Sequence, residues 1–180
     1  MSRRKAKEAT PQYLERVAIW YLERYPGSIE RVRQTLMKRV RRSVRELETD
    51  PAQGAAAIEE VLTKLIRLDY LDDARFAQNR VRSLRRRGKS TRAIQAALRR
   101  QGIDAATVDD AMCDDAPDID LEAARDHVRR KRLGWRRAPE KREAMKQKDL
   151  ARLARAGFSY SHAIEALREP EEDAREEPRW

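Results

Sequence analysis

Leu98-Arg99-Arg100-Gln101-Gly102-Ile103-Asp104 is a stretch in which good helix formers give way to a glycine, an apolar residue and a capping aspartate. Glycine takes the left-handed geometry that ends a helix, and Asp104 can accept the first free amides of the next one. The same order returns as Leu153-Ala154-Arg155-Ala156-Gly157-Phe158-Ser159. Helix end, glycine, apolar residue and cap, found twice, mark an internal repeat of helical units.

Working outward, Ser90, Ile94 and Leu98 repeat the spacing of Ser28, Val32 and Leu36. Upstream, Thr10-Pro11 predicts a first helix with Tyr13, Leu14, Val17, Trp20 and Tyr21 on one face, which places Trp20 in the core. Tyr25-Pro26-Gly27 stops it and Ser28 caps the second helix. That helix carries Ile29, Val32, Leu36, Val40, Val44 and Leu47 as far as Thr49-Asp50-Pro51. A third helix is predicted over 55–68. A second block opens at Asp72 with Phe76, Ala77, Val81 and Leu84, continues from the Ser90 cap, and closes with a short helix capped by Asp104. A third block offers helices at 121–133, 139–156 and 159–167. The expected fold is all-α, with tandem three-helix repeats in an elongated, curved arrangement. Its parts are a basic tail at 1–9, repeats at 10–70, 71–115 and 116–169, and an acidic disordered tail at 170–180.

Composition agrees with repeats rather than a globe. Charged residues make up 40% of the 180 residues, against roughly 25% in ordinary domains, so the core must be thin. Six glycines and seven prolines are too few to punctuate a many-stranded sheet. One cysteine, Cys113, and two histidines, His127 and His162, assemble neither a disulfide nor a zinc-ligand spacing. His127 and His162 lack partners at catalytic spacing, and Cys113 stands beside Asp114 rather than in an electropositive setting. The scattered glycines form no phosphate-binding loop. No catalytic residue, metal or cofactor is expected. Met1-Ser2-Arg3-Arg4-Lys5 leads into polar residues instead of an apolar run, so the expected location is the cytoplasm, with no membrane partner.

Forty-one Lys and Arg against 31 Asp and Glu give a net charge of +10, which favours a polyanionic partner. Asp and Glu are absent from 31–45 and again from 74–103. On the second helix Arg31, Lys38, Arg42 and Arg45 oppose the apolar stripe. On the fourth, Arg75, Arg82, Arg85 and Arg86 are read as opposing theirs, with Lys89 and Arg92 extending the cluster. Arg80 and Arg87 fall within the apolar arc, where their stems can snorkel or a carboxylate can pair them. A merely solvated face would mix both signs, so these stripes are the expected DNA- or protein-contacting surface. Of the tryptophans, Trp135 sits among Lys131, Arg132, Arg136 and Arg137 and is the candidate for stacking on a base; Trp180 closes the tail.

Asp69-Tyr70-Leu71-Asp72-Asp73-Ala74-Arg75-Phe76-Ala77 resembles the Gly-Tyr-Leu-Asp-Asp-x-Arg-Phe signature of the RecX family, bacterial regulators of the RecA recombinase. Tyr21-Leu22 with Ser28, Gly88-Lys89-Ser90 through Ile94 and Leu98, Gln101-Gly102-Ile103, and Arg155-Ala156-Gly157-Phe158-Ser159 support the resemblance, which covers about residues 10–168. It implies tandem three-helix repeats and no enzymatic activity. It also implies binding to RecA and the RecA–DNA filament that curbs ATPase, strand exchange and co-protease activity. Within the signature, Tyr70 and Leu71 are expected to pack between repeats, Asp72 and Asp73 to stabilise the N-terminus of the fourth helix, and Phe76 to enter the core. Gly102, Gly157 and Phe158 complete the structural set. Two departures stand out: the segment 36–56 is long, and Asp69 replaces the usual glycine, which argues against a left-handed cap there. The expected protein is a monomer that binds DNA without sequence preference and in a salt-sensitive way. The alternative is a free-standing DNA-binding protein of helix-turn-helix type, built on 90–112.

Overall fold

The computed structural model describes residues 5–169; residues 1–4 of the expected basic tail and the whole expected acidic tail, 170–180, with Trp180, lie outside them. The described residues are helical, without a strand. The helices are α1 (Pro11–Leu22), α2 (Ile29–Leu47), α3 (Pro51–Arg67), α4 (Asp73–Arg86), α5 (Thr91–Arg99), α6 (Ala105–Asp110), α7 (Ile119–Lys131), α8 (Pro139–Arg155) and α9 (Tyr160–Leu167). A 3-10 turn, Gly134–Arg136, precedes α8. The all-α class and its three-helix rhythm are those of the sequence.

Local chemistry sets the helix ends. Thr10 Oγ1 accepts the Tyr13 amide at 3.3 Å, and Ser28 Oγ accepts that of Arg31 at 3.1 Å. Helix α3 begins four residues before the predicted 55, because Asp50 accepts the Ala52 amide at 2.8 Å and Pro51 takes the first helical position. The proline that stops α2 therefore also starts α3. At the other ends, Gly102 (φ 79°) and Gly157 (φ 92°) adopt the left-handed conformation. The Ile103 amide reaches back to the Leu98 carbonyl and the Phe158 amide to that of Leu153, closing the same double hydrogen-bonded cap in both copies. Asp69 corrects the sequence reading. It too is left-handed, at φ 64°, with Tyr70 N–H on the Leu65 carbonyl at 2.9 Å, so the cap survives without its glycine.

By packing, the chain forms two compact units. The first comprises residues up to Gln78 together with Leu98–Asp109; the second comprises Asn79–Ala97 and the residues from Asp110 onward. In the first, Leu14 and Ala18 of α1, Val32, Leu36 and Val40 of α2, Ile58, Leu62 and Leu65 of α3, and Leu71 share one core. Gly54 lets α2 and α3 approach, since a Cβ there would lie 2.4 Å from Val40 Cγ1. In the second, Ala124 and Val128 of α7, Leu133, Trp135, Leu153 of α8, Phe158, and Ala163 and Ala166 of α9 form the core.

Each unit contains the same joint. In the first, the Ile29 amide donates to Asp73 Oδ1 at 2.9 Å, and Ser28 Oγ donates to the carbonyl of Gln101, just before Gly102. In the second, the Thr91 amide donates to Asp120 Oδ1 at 2.8 Å, and Ser90 Oγ donates to the carbonyl of Ala156, just before Gly157, at 2.9 Å. Both serines are completely buried yet fully bonded, which removes the cost of burying a hydroxyl.

Four apolar placements differ from the sequence reading. Trp20 is 53% exposed and Tyr70 55%, while Trp135 is buried. Phe76 is only partly buried. A step of 100° per residue puts Trp20 about 120° from Leu14, outside the α1 stripe. Trp135 is carried inward by the 3-10 turn after Arg132, itself left-handed at φ 50°.

Candidate polyanion-binding surface

On α2, Arg31 and Lys38 are exposed and make no ion pair with a described residue. Arg42 and Arg45 share a carboxylate, Glu46, at 3.0 and 3.3 Å. The hydrogen bond from Arg42 holds Glu46 below its usual carboxylate range. Arg33, on another side of the helix, bridges Glu30 at 2.8 Å and Glu59 at 2.9 Å. Within the stripe, Arg42 and Arg45 are thus offset by Glu46, whereas Glu30 and Glu59 are taken up by Arg33 rather than by Arg31 or Lys38.

On α4 and beyond, Arg82 and Arg86 are exposed, as are Lys89 and Arg92; Arg82 touches Asn79 Oδ1 at 3.2 Å. Arg75 is also exposed and bonds the Asp69 carbonyl at 2.6 Å. Arg85 departs from the expected stripe. Its side chain is only 10% exposed and binds Asp115, Asp120 at 2.9 Å, Thr91 Oγ1 at 2.7 Å and the Lys89 carbonyl. Helical geometry explains this, since Arg85 lies about 40° from buried Val81, on the apolar side. Arg85 ties the α4 C-terminus to the start of α5 and α7. Arg87 lies beyond the end of α4 and is exposed, and Arg80 is partly buried.

In the second unit, Lys131 and Lys89, both noted in the sequence, are joined by Arg130 and Arg152 around His127. Half-buried His127 packs edge-on against Phe158, with ring centres 5.9 Å apart. Burial lowers its pKa, and the charges of Arg130, Lys131, Arg152 and Lys89 lower it further, so the imidazole stays neutral amid cations. The sequence signal was the run 129–132, interleaved with the apolar positions of α7. Trp135, the stacking candidate, instead fills the core, with the Arg136 guanidinium 4.9 Å from its ring centre. Behind it, the Asp149 carboxylate accepts hydrogen bonds from Nε and Nη2 of Arg137, each at 2.7 Å, and from the Gly134 amide at 3.0 Å. Burial pushes the Asp149 carboxyl up, and these partners more than reverse it.

In the signature, Asp72 Oδ1 accepts the Arg75 amide at 2.9 Å, capping α4, while Asp73 faces back to Ile29. Leu71 and Phe158 are buried. No cluster of three His, Cys, Asp or Glu suited to a metal occurs among the described residues. The neighbouring Asp114 charge pushes the exposed Cys113 thiol up, away from reactivity. No described helix is long and apolar enough to cross a membrane.

Three-helix units that expose basic residues on α2, α4 and α5 define a class: an all-α protein of helical-repeat architecture. The comparisons narrow it. Residues 72–112 match the family pattern described as the second three-helix domain of RecX. The chain is 38% identical over 166 residues to the regulatory protein RecX of Myxococcus xanthus, covering 91% of this chain and 89% of that one. It is 29% identical to the RecX of Agrobacterium fabrum, over 87% and 83% of the two chains. The crystal structure of RecX from Lactobacillus salivarius shares the fold, with a TM-score of 0.62 at 20% identity over 87% of this chain and 94% of that one. The chain belongs to the RecX family of regulatory proteins.

Proposed function

We propose that this chain is a monomeric, cytoplasmic modulator of RecA that binds RecA and RecA–DNA filaments and restrains their ATPase, strand-exchange and co-protease activities during recombination and SOS repair. Three-helix repeats at 10–70, 71–115 and 116–169 are its proposed modules. The observation that carries the reading is family membership over nine-tenths of the chain. The exposed basic residues Arg31, Lys38, Arg82, Arg86, Lys89 and Arg92 support it, being suited to phosphates or acidic protein surfaces. DNA alone is bound weakly and without base preference. The helix-turn-helix alternative is disfavoured by α6, whose exposed Asp109 and Asp110 follow the exposed Asp104 cap and would repel phosphates.

The test is a RecA ATPase titration on single-stranded DNA, paired with a binding control on DNA alone. Arg31→Glu/Lys38→Glu and Arg82→Glu/Arg86→Glu should each weaken inhibition and shift thermal melting little, because exposed sites usually change stability by about 0.5 kcal/mol or less. Arg85 is left untouched, as its loss would strand two carboxylates. Wild-type inhibition by both folded variants would refute the role of the basic faces.

A further inference from the structure

Independent of the modulator reading, the second compact unit carries a groove of about 600 Å³ lined by α8, α9 and the 3-10 turn. Its floor is apolar, made of Trp135, Leu150, Ile164 and Leu167, and Tyr160 stands beside them 71% exposed. Arg142, Lys146 and Arg168 supply the charge of the rim. The two carboxylates there each lie beside a cation, Glu143 by Lys146 at 3.7 Å and Glu169 by Arg142, also at 3.7 Å. Arg142 is itself anchored, donating to the carbonyls of Trp135 at 2.7 Å and Arg137 at 3.1 Å. A fixed guanidinium thus keeps Glu169, the last described residue, at the groove wall.

From this placement we infer that the groove is a docking site for the chain's own segment 170–180, with the Trp180 indole on the apolar floor and the acidic residues before it on the rim cations. Three observations select this occupant. The segment starts at the site, because Glu169 lines the groove and Pro170 follows it directly. Its 11 residues reach up to about 36 Å when extended, ample to turn back onto a groove they start from. Its chemistry complements the site: Glu171, Glu172, Asp173, Glu176 and Glu177 outweigh Arg175 and Arg179, and a tryptophan follows them. Burying an indole removes roughly 150–250 Å² from water, and a short tether holds it at an effective concentration of about 1 mM, so weak contacts suffice. Docking shields the floor and neutralises the rim, which leaves the site open to other ligands only when the segment departs.

The experiment uses the full chain labelled with 5-fluorotryptophan, whose three tryptophans give three fluorine resonances. Trp20→Phe and Trp180→Phe assign them, and two of the three calibrate the readout. The fluorine shift between H2O and D2O should be large for exposed Trp20 and small for buried Trp135. Trp180 should resemble Trp135. In Lys146→Glu/Arg168→Glu, which reverses two exposed rim charges, Trp180 should come to resemble Trp20 while Trp135 stays protected and the thermal melt is unchanged. A fluorescein-labelled peptide of sequence 170–180 should bind the Trp180→Ala chain on the order of tenfold more tightly than wild type. That ratio is what a tethered segment at about 1 mM imposes on a peptide with a Kd of about 0.1 mM. Equal peptide binding by the two chains overturns the proposal, as does a Trp180 resonance as solvent-sensitive as that of Trp20, or protection that persists in the charge-reversed variant. Protection that grows with protein concentration overturns it too, because the segment would then sit on a second copy. RecA is absent throughout, so failure here leaves the modulator reading untouched.

Discussion

Single residues show how much of the fold is fixed by backbone chemistry. Gly102 is left-handed, and a Cβ on it would lie 2.5 Å from both Cβ and Cγ of Glu30, so conformation and space both require glycine. Gly102→Ala should cost about 2 kcal/mol or more, read as a lower denaturation midpoint with an unchanged slope. Asp69 is the opposite case, an exposed side chain strained at φ 64°. Its ion pair with Arg75, 3.3 Å long and open to solvent, contributes little. Asp69→Gly should therefore stabilise the chain by about 0.5 kcal/mol, after the extra flexibility of glycine in the unfolded chain is set against the relieved strain. The glycines were legible in the sequence because only one residue type fits such positions freely. Asp69 was not, since aspartate tolerates the left-handed region without requiring it.

Among the elements, period and capping residues were enough to identify all nine described helices, while the side-chain environment at their edges was not. Trp20 and Arg85 were read on the wrong sides of their helices: measured from buried Leu14 and Val81, helical phase puts the first outside its stripe and the second inside. Trp135 lies in a 3-10 turn, where the α-helical period carries no information. The joint at the start of α4 was equally hidden, because Ile29 and Asp73 are 44 residues apart. Burial raises the pKa of Asp73, with nearby Asp104 and Asp72 adding to the effect and the Ile29 amide opposing it. A carboxyl whose pKa is raised on folding is most favourable to stability when protonated. The wild-type chain should thus gain from this group as pH falls through the raised folded pKa towards the unfolded value, and lose that gain above it. Asp73→Asn keeps an acceptor for Ile29 and should be neutral or stabilising at pH 7, with the pH dependence flattened. Asp73→Ala should cost about 1–2 kcal/mol by stranding the amide. Chemical denaturation at pH 4, 5.5 and 7 checks both; equal losses in the two variants would show that the charge itself matters.

At the scale of the whole molecule, the sequence repeat and the packing unit do not coincide. The segment matched by the family pattern, 72–112, is divided: its first residues and Leu98–Asp109 pack with the first unit, and Asn79–Ala97 and 110–112 with the second. A peptide of 72–112 alone retains Asp73 without Ile29 and Ser90 without Ala156. Its helices are too short to persist unaided, so circular dichroism should show little helix and no cooperative melt. A cooperative transition would mean that the repeat is self-sufficient. The sequence showed the repeats because their caps recur locally, but the partition depends on which buried faces meet across long separations. One result concerns time rather than stability. A ribosome delivers α1, α2 and α3 first, yet buried Leu98, Ile103 and Val108, which complete their unit, follow much later. At roughly 5–20 residues per second, residues 79–109 take about two to six seconds to appear. For that interval the nascent chain presents an unfinished apolar surface, a window in which a chaperone can bind it.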